Sequence, residues 1–152
     1  MTATNHALTG AFIGLTIGNP LLAIPLAVAS HFLLDALPHF GSKHLQAESK
    51  RFIYYLAIEA GMCAAIVVTL IWLQPINFVV AAICAFVATS PDFMWINDFI
   101  RAQHRKPVRT SENWLVRLHS HIQWYQKEPG ALVELGWALM MVIALAKVIV
   151  IW

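Results

Sequence analysis

His31, Asp35 and His39 follow one another at i, i+4 and i+8 within an apolar segment. Four-residue spacing sets the first two on one helix face a turn apart, and Pro38 breaks the helix before the third. Neutral imidazole nitrogen and aspartate oxygen are common non-thiolate ligands of a divalent ion such as zinc, with manganese as the alternative, and one or two ions are expected. His6 joins this set if the first two apolar segments form an antiparallel hairpin. With the turn centred between Gly18 and Asn19, residues equidistant from it lie level: His6 with His31, Gly10 with Ala27, Gly14 with Ala23. A second hairpin, turning at Gln74 and Pro75, brings Glu59 level with Ser90 and close to Asp92. These two carboxylates are expected as further ligands or as the general base. His119, His121 and Glu134 return on the same side, where ligation by the two histidines competes with a solvated place on an interfacial helix. A charge inside a membrane span costs a few kcal/mol, so Asp35 and Glu59 imply either a function or mutual pairing. For Asp92 and His39 the simpler alternative is helix capping.

The elements that must position these groups are helices in a bilayer. Hydrophobic residues make up 59% of the 152 and charged residues 12%, a mix far from that of a water-soluble domain. Spans of about 20 residues each use up most of such a chain. The expected fold is all-α, a polytopic membrane protein: one integral domain over 1–152, with apolar segments at about 8–18, 21–37, 52–73, 76–89 and 131–152. They form two helical hairpins and a C-terminal transmembrane helix. Gly18-Asn19-Pro20 and Gln74-Pro75 supply the turns, and Ser90-Pro91-Asp92 ends the fourth segment. Within the charged segment at about 92–129, Trp114, Leu115, Leu118 and Ile122 share one side of an amphipathic stretch from Asn113 to Trp124, as expected of an interfacial helix. Gly10, Gly14 and Gly18 form a small-residue stripe that permits close helix approach in lipid, against the second segment or against a second protomer in a homo-oligomer.

Nine of the ten Lys and Arg, all but Lys147, fall on the side that holds the N-terminus and the two long loops. The positive-inside rule makes that side cytoplasmic in a multi-pass inner-membrane protein. Met1 to His6 has no basic run and no small-residue cleavage site follows, so no signal peptide is expected. Cys63 and Cys84 lack CxxC spacing and read as apolar fillers. His44 and His104 read as surface residues. A net charge of +2 without any recognition motif gives no argument for a nucleic-acid partner. Membrane lipids are the expected surroundings, and Lys43, Lys50 and Arg51 could attract an anionic head group.

The run His31-Phe32-Leu33-Leu34-Asp35-Ala36-Leu37-Pro38-His39, with Thr4-Asn5-His6 before a Gly-rich apolar stretch, resembles a bacterial inner-membrane family of membrane-bound metal-dependent hydrolases, also described as LexA-binding and inner-membrane-associated. The same H-x-x-x-D and following H is similar to the zinc-dependent phospholipase C and S1/P1 nuclease group, all-helical phosphoesterases. The resemblance covers about the first 40 residues and implies metal ligation by His6, His31, Asp35 and His39. It departs at Tyr55, which stands four residues before Glu59 where the soluble group has a second ligand histidine; one or two ions are therefore expected rather than three. The function implied is hydrolysis of a phosphoester in a lipid or other membrane-associated substrate. A non-catalytic, metal-stapled scaffold that docks a cytoplasmic partner through residues 98–129 is the alternative, and an ion or proton relay is a weaker third.

Overall fold

The structure is a computed structural model and describes residues 1–41, 49–104 and 114–151. Lys43, His44, Asn113 and Trp152 lie outside the described residues, as does the side chain of Leu115. The described residues form seven α-helices: α1 (Ala3–Ile17), α2 (Pro20–Asp35), α3 (Lys50–Leu73), α4 (Phe78–Thr89), α5 (Ile96–Gln103), α6 (Trp114–Ile122) and α7 (Gly130–Ile151). A 3-10 turn, Ser90–Trp95, joins α4 to α5.

Local chemistry sets the ends. Gly18 closes α1 in the left-handed region at φ 66°, and Asn19 caps α2 by accepting from the Leu21 amide, with Pro20 at the first helical position. Ser49 caps α3 at the Phe52 amide. The end of α4 loosens because Thr89 and Ser90 turn their hydroxyls back onto Phe86 and Val87 carbonyls, and Pro91 has no N–H to continue the ladder. The 3-10 turn that results aims Asp92 back at the bundle.

Among the described residues three helices are long and apolar enough to cross a membrane: α3, the continuous α4-to-α5 stretch Phe78–Gln103, and α7. Their outward faces are apolar and bare, with Trp72 84% and Leu132 76% exposed, as suits lipid rather than water. The first two segments are shorter. At 15 and 16 residues, α1 and α2 span about 22–24 Å at 1.5 Å per residue, less than a hydrocarbon core of about 30 Å.

Helix α1 runs through the middle of the bundle, touching α2, α3, α4 and α7. Its apolar face joins Leu70, Ala81, Ala85, Met141 and Leu145 in the main core. The glycine stripe is not covered by α2, as the hairpin register proposed, but by α4. A Cβ on Gly10 would stand 2.2 Å from the Cys84 carbonyl oxygen, and one on Gly14 would stand 2.4 Å from the Ala81 Cα. Ala23 and Ala27 of α2 pack on Cys84 and Ala88 of that same helix. The reason is that α4 carries alanine and cysteine at both faces it turns inward, so two backbones can approach it at once. Asn77 Nδ2 donates to the Leu15 carbonyl at 3.2 Å, tying the turn before α4 to the end of α1. Both cysteines are free, and Cys84 is fully buried at the glycine contact, a filler's place.

Candidate metal centre

Four side chains from three places in the chain converge at one end of the bundle. They are His31 and Asp35 on α2, Asp92 on the 3-10 turn and His119 on α6, with one ligand atom from each lying within 4.8 Å of all the others. His31 Nε2 is 3.3 Å from Asp35 Oδ2, 3.7 Å from Asp92 Oδ1 and 3.1 Å from His119 Nε2. His119 Nε2 is 2.8 Å from Asp35 Oδ2 and 3.7 Å from Asp92 Oδ1. Ligands held about 2.0–2.1 Å from a tetrahedral zinc stand about 3.3 Å from each other, and the five separations straddle that value. The longer edges all involve Asp92, whose side chain keeps 21% of its exposure while His31 and Asp35 have none.

The donor set fits a cation. His31 Nδ1 lies 2.8 Å from the Ala88 carbonyl, so its proton sits on Nδ1 and Nε2 turns a lone pair inward. Two imidazole Nε2 atoms and two carboxylate oxygens then face one point, an arrangement that requires a proton or a cation between them. Asp35 is the hub. Its Oδ2 also accepts from Gln123 Nε2 at 2.9 Å, while its Oδ1 takes His6 Nε2 at 3.1 Å and the Met1 amino nitrogen.

The remaining sequence candidates separate into three groups. His6 is fully buried and stacks on His31 with ring centroids 4.1 Å apart; it contacts Asp35 from outside the quartet. His39 is buried past the end of α2, in a parallel bridge with Gln126, with the His39 amide donating to the Tyr125 carbonyl and the Lys127 amide to the His39 carbonyl. Its Nδ1 meets the Leu37 carbonyl, and among the described residues its Nε2 has no hydrogen-bond partner, as is true of His6 Nδ1. Burial holds the His39 imidazole below its ordinary pKa, as a neutral ring. His121 is exposed on the far side of α6.

Glu59, expected at the centre as ligand or base, stands elsewhere. Its Oε2 accepts from the Thr4 amide at 2.9 Å and the Thr4 hydroxyl at 2.7 Å. Thr2, at the N-cap of α1, makes no side-chain cap, so the carboxylate from α3 satisfies the orphan amide and meets the positive end of the helix. Glu134 acts in parallel, accepting from the Thr2 amide at 2.8 Å, and its backbone carbonyl takes Asn5 Nδ2 at 3.2 Å. Trp137, one turn on, donates to the Thr9 hydroxyl at 2.9 Å. Thus α3 and α7 clamp the first turns of α1, and through them His6 against Asp35.

Gln123 and the Met1 amino group are contacts to Asp35 that sequence reasoning missed. Gln123 follows His119 by four residues, just past the end of α6, and that H-x-x-x-Q spacing was the available signal. Comparison with family models, curated proteins and solved structures gives no match for this chain.

Proposed function

We propose that the chain is a membrane-embedded, metal-dependent hydrolase of a phosphoester in a lipid or other membrane-associated substrate. The observation that carries this reading is the convergence of His31, Asp35, Asp92 and His119 within 4.8 Å of one another, at the end of a bundle whose outer faces suit lipid. The resemblance of residues 31–39 to membrane-bound metal-dependent hydrolases points the same way. Zinc is the ion best suited to two imidazoles and two carboxylates, manganese is the alternative, and His6 and His39 would serve a second ion. A divalent ion in this place supplies Lewis acidity toward a phosphoryl oxygen and brings the pKa of a water to about 7. The chain's own part is to hold Asp35 rigid from both oxygens, to orient His31 through Ala88, and to leave the Asp92 side open. That more exposed carboxylate is the general-base candidate for the attacking water.

The topology that goes with this reading has two hairpins and a C-terminal span, with the N-terminus and the charged loops on the cytoplasmic side of the inner membrane. The site then lies just below that interface, within reach of a lipid head group. Lys50 and Arg51, exposed at the start of α3, provide positive charge on the same side.

One observation favours the non-catalytic scaffold instead: four protein ligands can close a tetrahedral site, and closed sites are structural. Elemental analysis of the detergent-purified protein, beside His31→Ala and Asp35→Ala, tests the centre itself. Metal is expected in the wild type and lost from both variants. Turnover of a phospholipid or phosphoester substrate by the wild type alone, with a water position in the cobalt-substituted spectrum, supports the hydrolase. A closed, waterless ligand shell without turnover makes the scaffold the answer, and absence of metal after resupply rejects both.

A further inference from the structure

We infer that α6 is a membrane-surface helix whose seating in lipid delivers His119 to the metal centre, so that metal affinity depends on the bilayer. This rests on the metal reading above and adds a partner to it, a lipid surface.

The sides of α6 are distributed unlike those of a helix packed on a water-soluble core. Its buried contacts are polar: His119 and Gln123 meet Asp35. Of its apolar residues Trp114 is 65% and Leu118 42% exposed, Val116 and Ile122 are half-buried, and Trp124 follows at 69% just past the helix end. At about 100° per residue, Trp114, Leu118 and Ile122 occupy one sector, His119, Gln123 and the half-buried Val116 a second whose centre is about 130° away, and Arg117, Ser120 and His121 a third. Arg117, Ser120 and His121 are all exposed. Three sectors with three chemistries match a helix lying in the plane of an interface, with the bundle beside it, acyl chains below and water above.

Continuity with the lipid-facing surface identifies what covers the apolar sector. Trp124 Nε1 donates to the Ala36 carbonyl at 2.9 Å, which holds the indole at the end of α2. There Leu33 and Leu37 are exposed, and these extend the apolar strip that α2 shows with Leu22 and Leu26. An amphipathic indole with its N–H on the protein and its ring outward is what the headgroup boundary favours. Among the described elements α6 packs on α2 and reaches Asp92 of the 3-10 turn through His119, so the protein contacts described hold it along its His119 flank. Lipid supplies the rest of its seating, and with it the position of the fourth ligand.

The test measures zinc affinity by chelator competition for the whole protein in vesicles of phosphatidylcholine and phosphatidylglycerol, and again in detergent. Trp114→Ser with Leu118→Ser is expected to weaken zinc binding about tenfold in vesicles, inside the range of about 5–150-fold usual for coupled sites. Leu118→Phe and Arg117→Gln are expected to leave it unchanged. A parallel measurement uses brominated phospholipid to quench tryptophan fluorescence, where Trp114→Phe and Trp124→Phe should each remove part of the quenched signal. Wild-type zinc binding with equal affinity in the double variant would overturn the inference while leaving the metal centre standing, as would failure of brominated lipid to quench Trp114. A wild type that binds no zinc in vesicles fails the metal reading itself, and with it the coupling. Should the double variant not fold, the quenching result alone decides.

Discussion

Replacing Gly10 by alanine adds a single carbon where the backbones of α1 and α4 touch. That carbon would lie 2.2 Å from the Cys84 carbonyl oxygen, 2.7 Å from its carbon and 2.8 Å from the Ala88 Cβ. A backbone oxygen has no rotamer to escape into, so the helices must separate by about 1 Å to restore ordinary contact. A gap of that size forfeits a quarter to a half of each dispersion contact along the stripe, and overpacking of this kind costs about 1–3 kcal/mol. The higher helix propensity of alanine returns up to about 1 kcal/mol, leaving a net loss of up to about 2 kcal/mol. The displacement also reaches the site, because Ala88 supplies the carbonyl that orients His31 at 2.8 Å. Loosening a partner that orients a metal-bound histidine costs about 10–100-fold in affinity. Gly61 is the internal control, since a Cβ there meets nothing within 4 Å, and Gly61→Ala should be neutral or slightly stabilising. Reversible unfolding in mixed detergent gives the stability difference, and chelator competition gives the metal affinity. If Gly10→Ala matched Gly61→Ala in both, the close α1–α4 contact and its link to His31 would be wrong.

Glu59→Ala removes the cross-helix cap of α1 and is expected to lower stability by about 1–2 kcal/mol while the purified protein keeps its full metal content; loss of metal would return Glu59 to the ligand set. Gln123→Ala frees one bond to Asp35 and should weaken metal binding about tenfold with the fold intact, as read by chelator competition and circular dichroism. His39 has a pKa depressed by burial, so the unfolded chain takes up its proton first. Its contribution is therefore present above the ordinary histidine value of about 6.5 and is lost as pH falls toward the lower folded pKa. Unfolding midpoints compared at pH 7 and pH 5 should fall less in His39→Gln than in the wild type, and an equal fall would refute this assignment.

The helical class was legible because long apolar helices announce themselves by length and composition, and the approach of His6 to His31 because it follows from counting back from the Gly18–Asn19 turn. His6 and His31 are stacked, as that counting placed them. The partner of the glycine stripe was not legible. Small residues say that something comes close, and both α2 and α4 offered alanines, so choosing between them needs three-dimensional packing. Glu59 was misplaced, and the role of Glu134 went unread, for a related reason. A carboxylate in an apolar helix signals a buried partner, and here the partner is a helix terminus 55 residues or more away along the chain, whose unsatisfied amides leave no mark in the sequence. His119 stood between ligand and surface residue until the three-sector geometry of α6 separated it from His121.

The clamp on α1 also has a consequence for the order in which the chain is made. Helix α1 is synthesised early, yet the Leu15 carbonyl finds Asn77 only 62 residues later and the Thr2 amide finds Glu134 only 132 residues later. At about 5–20 residues per second these are waits of about 3–12 s and about 7–26 s. Until then a short segment bearing bare glycines and uncapped amides has α2, and later α3, to pack on, but not yet α4 or α7. Translation speed, and the hydration of the compartment where the nascent segment waits, thereby become variables in the biogenesis of this bundle.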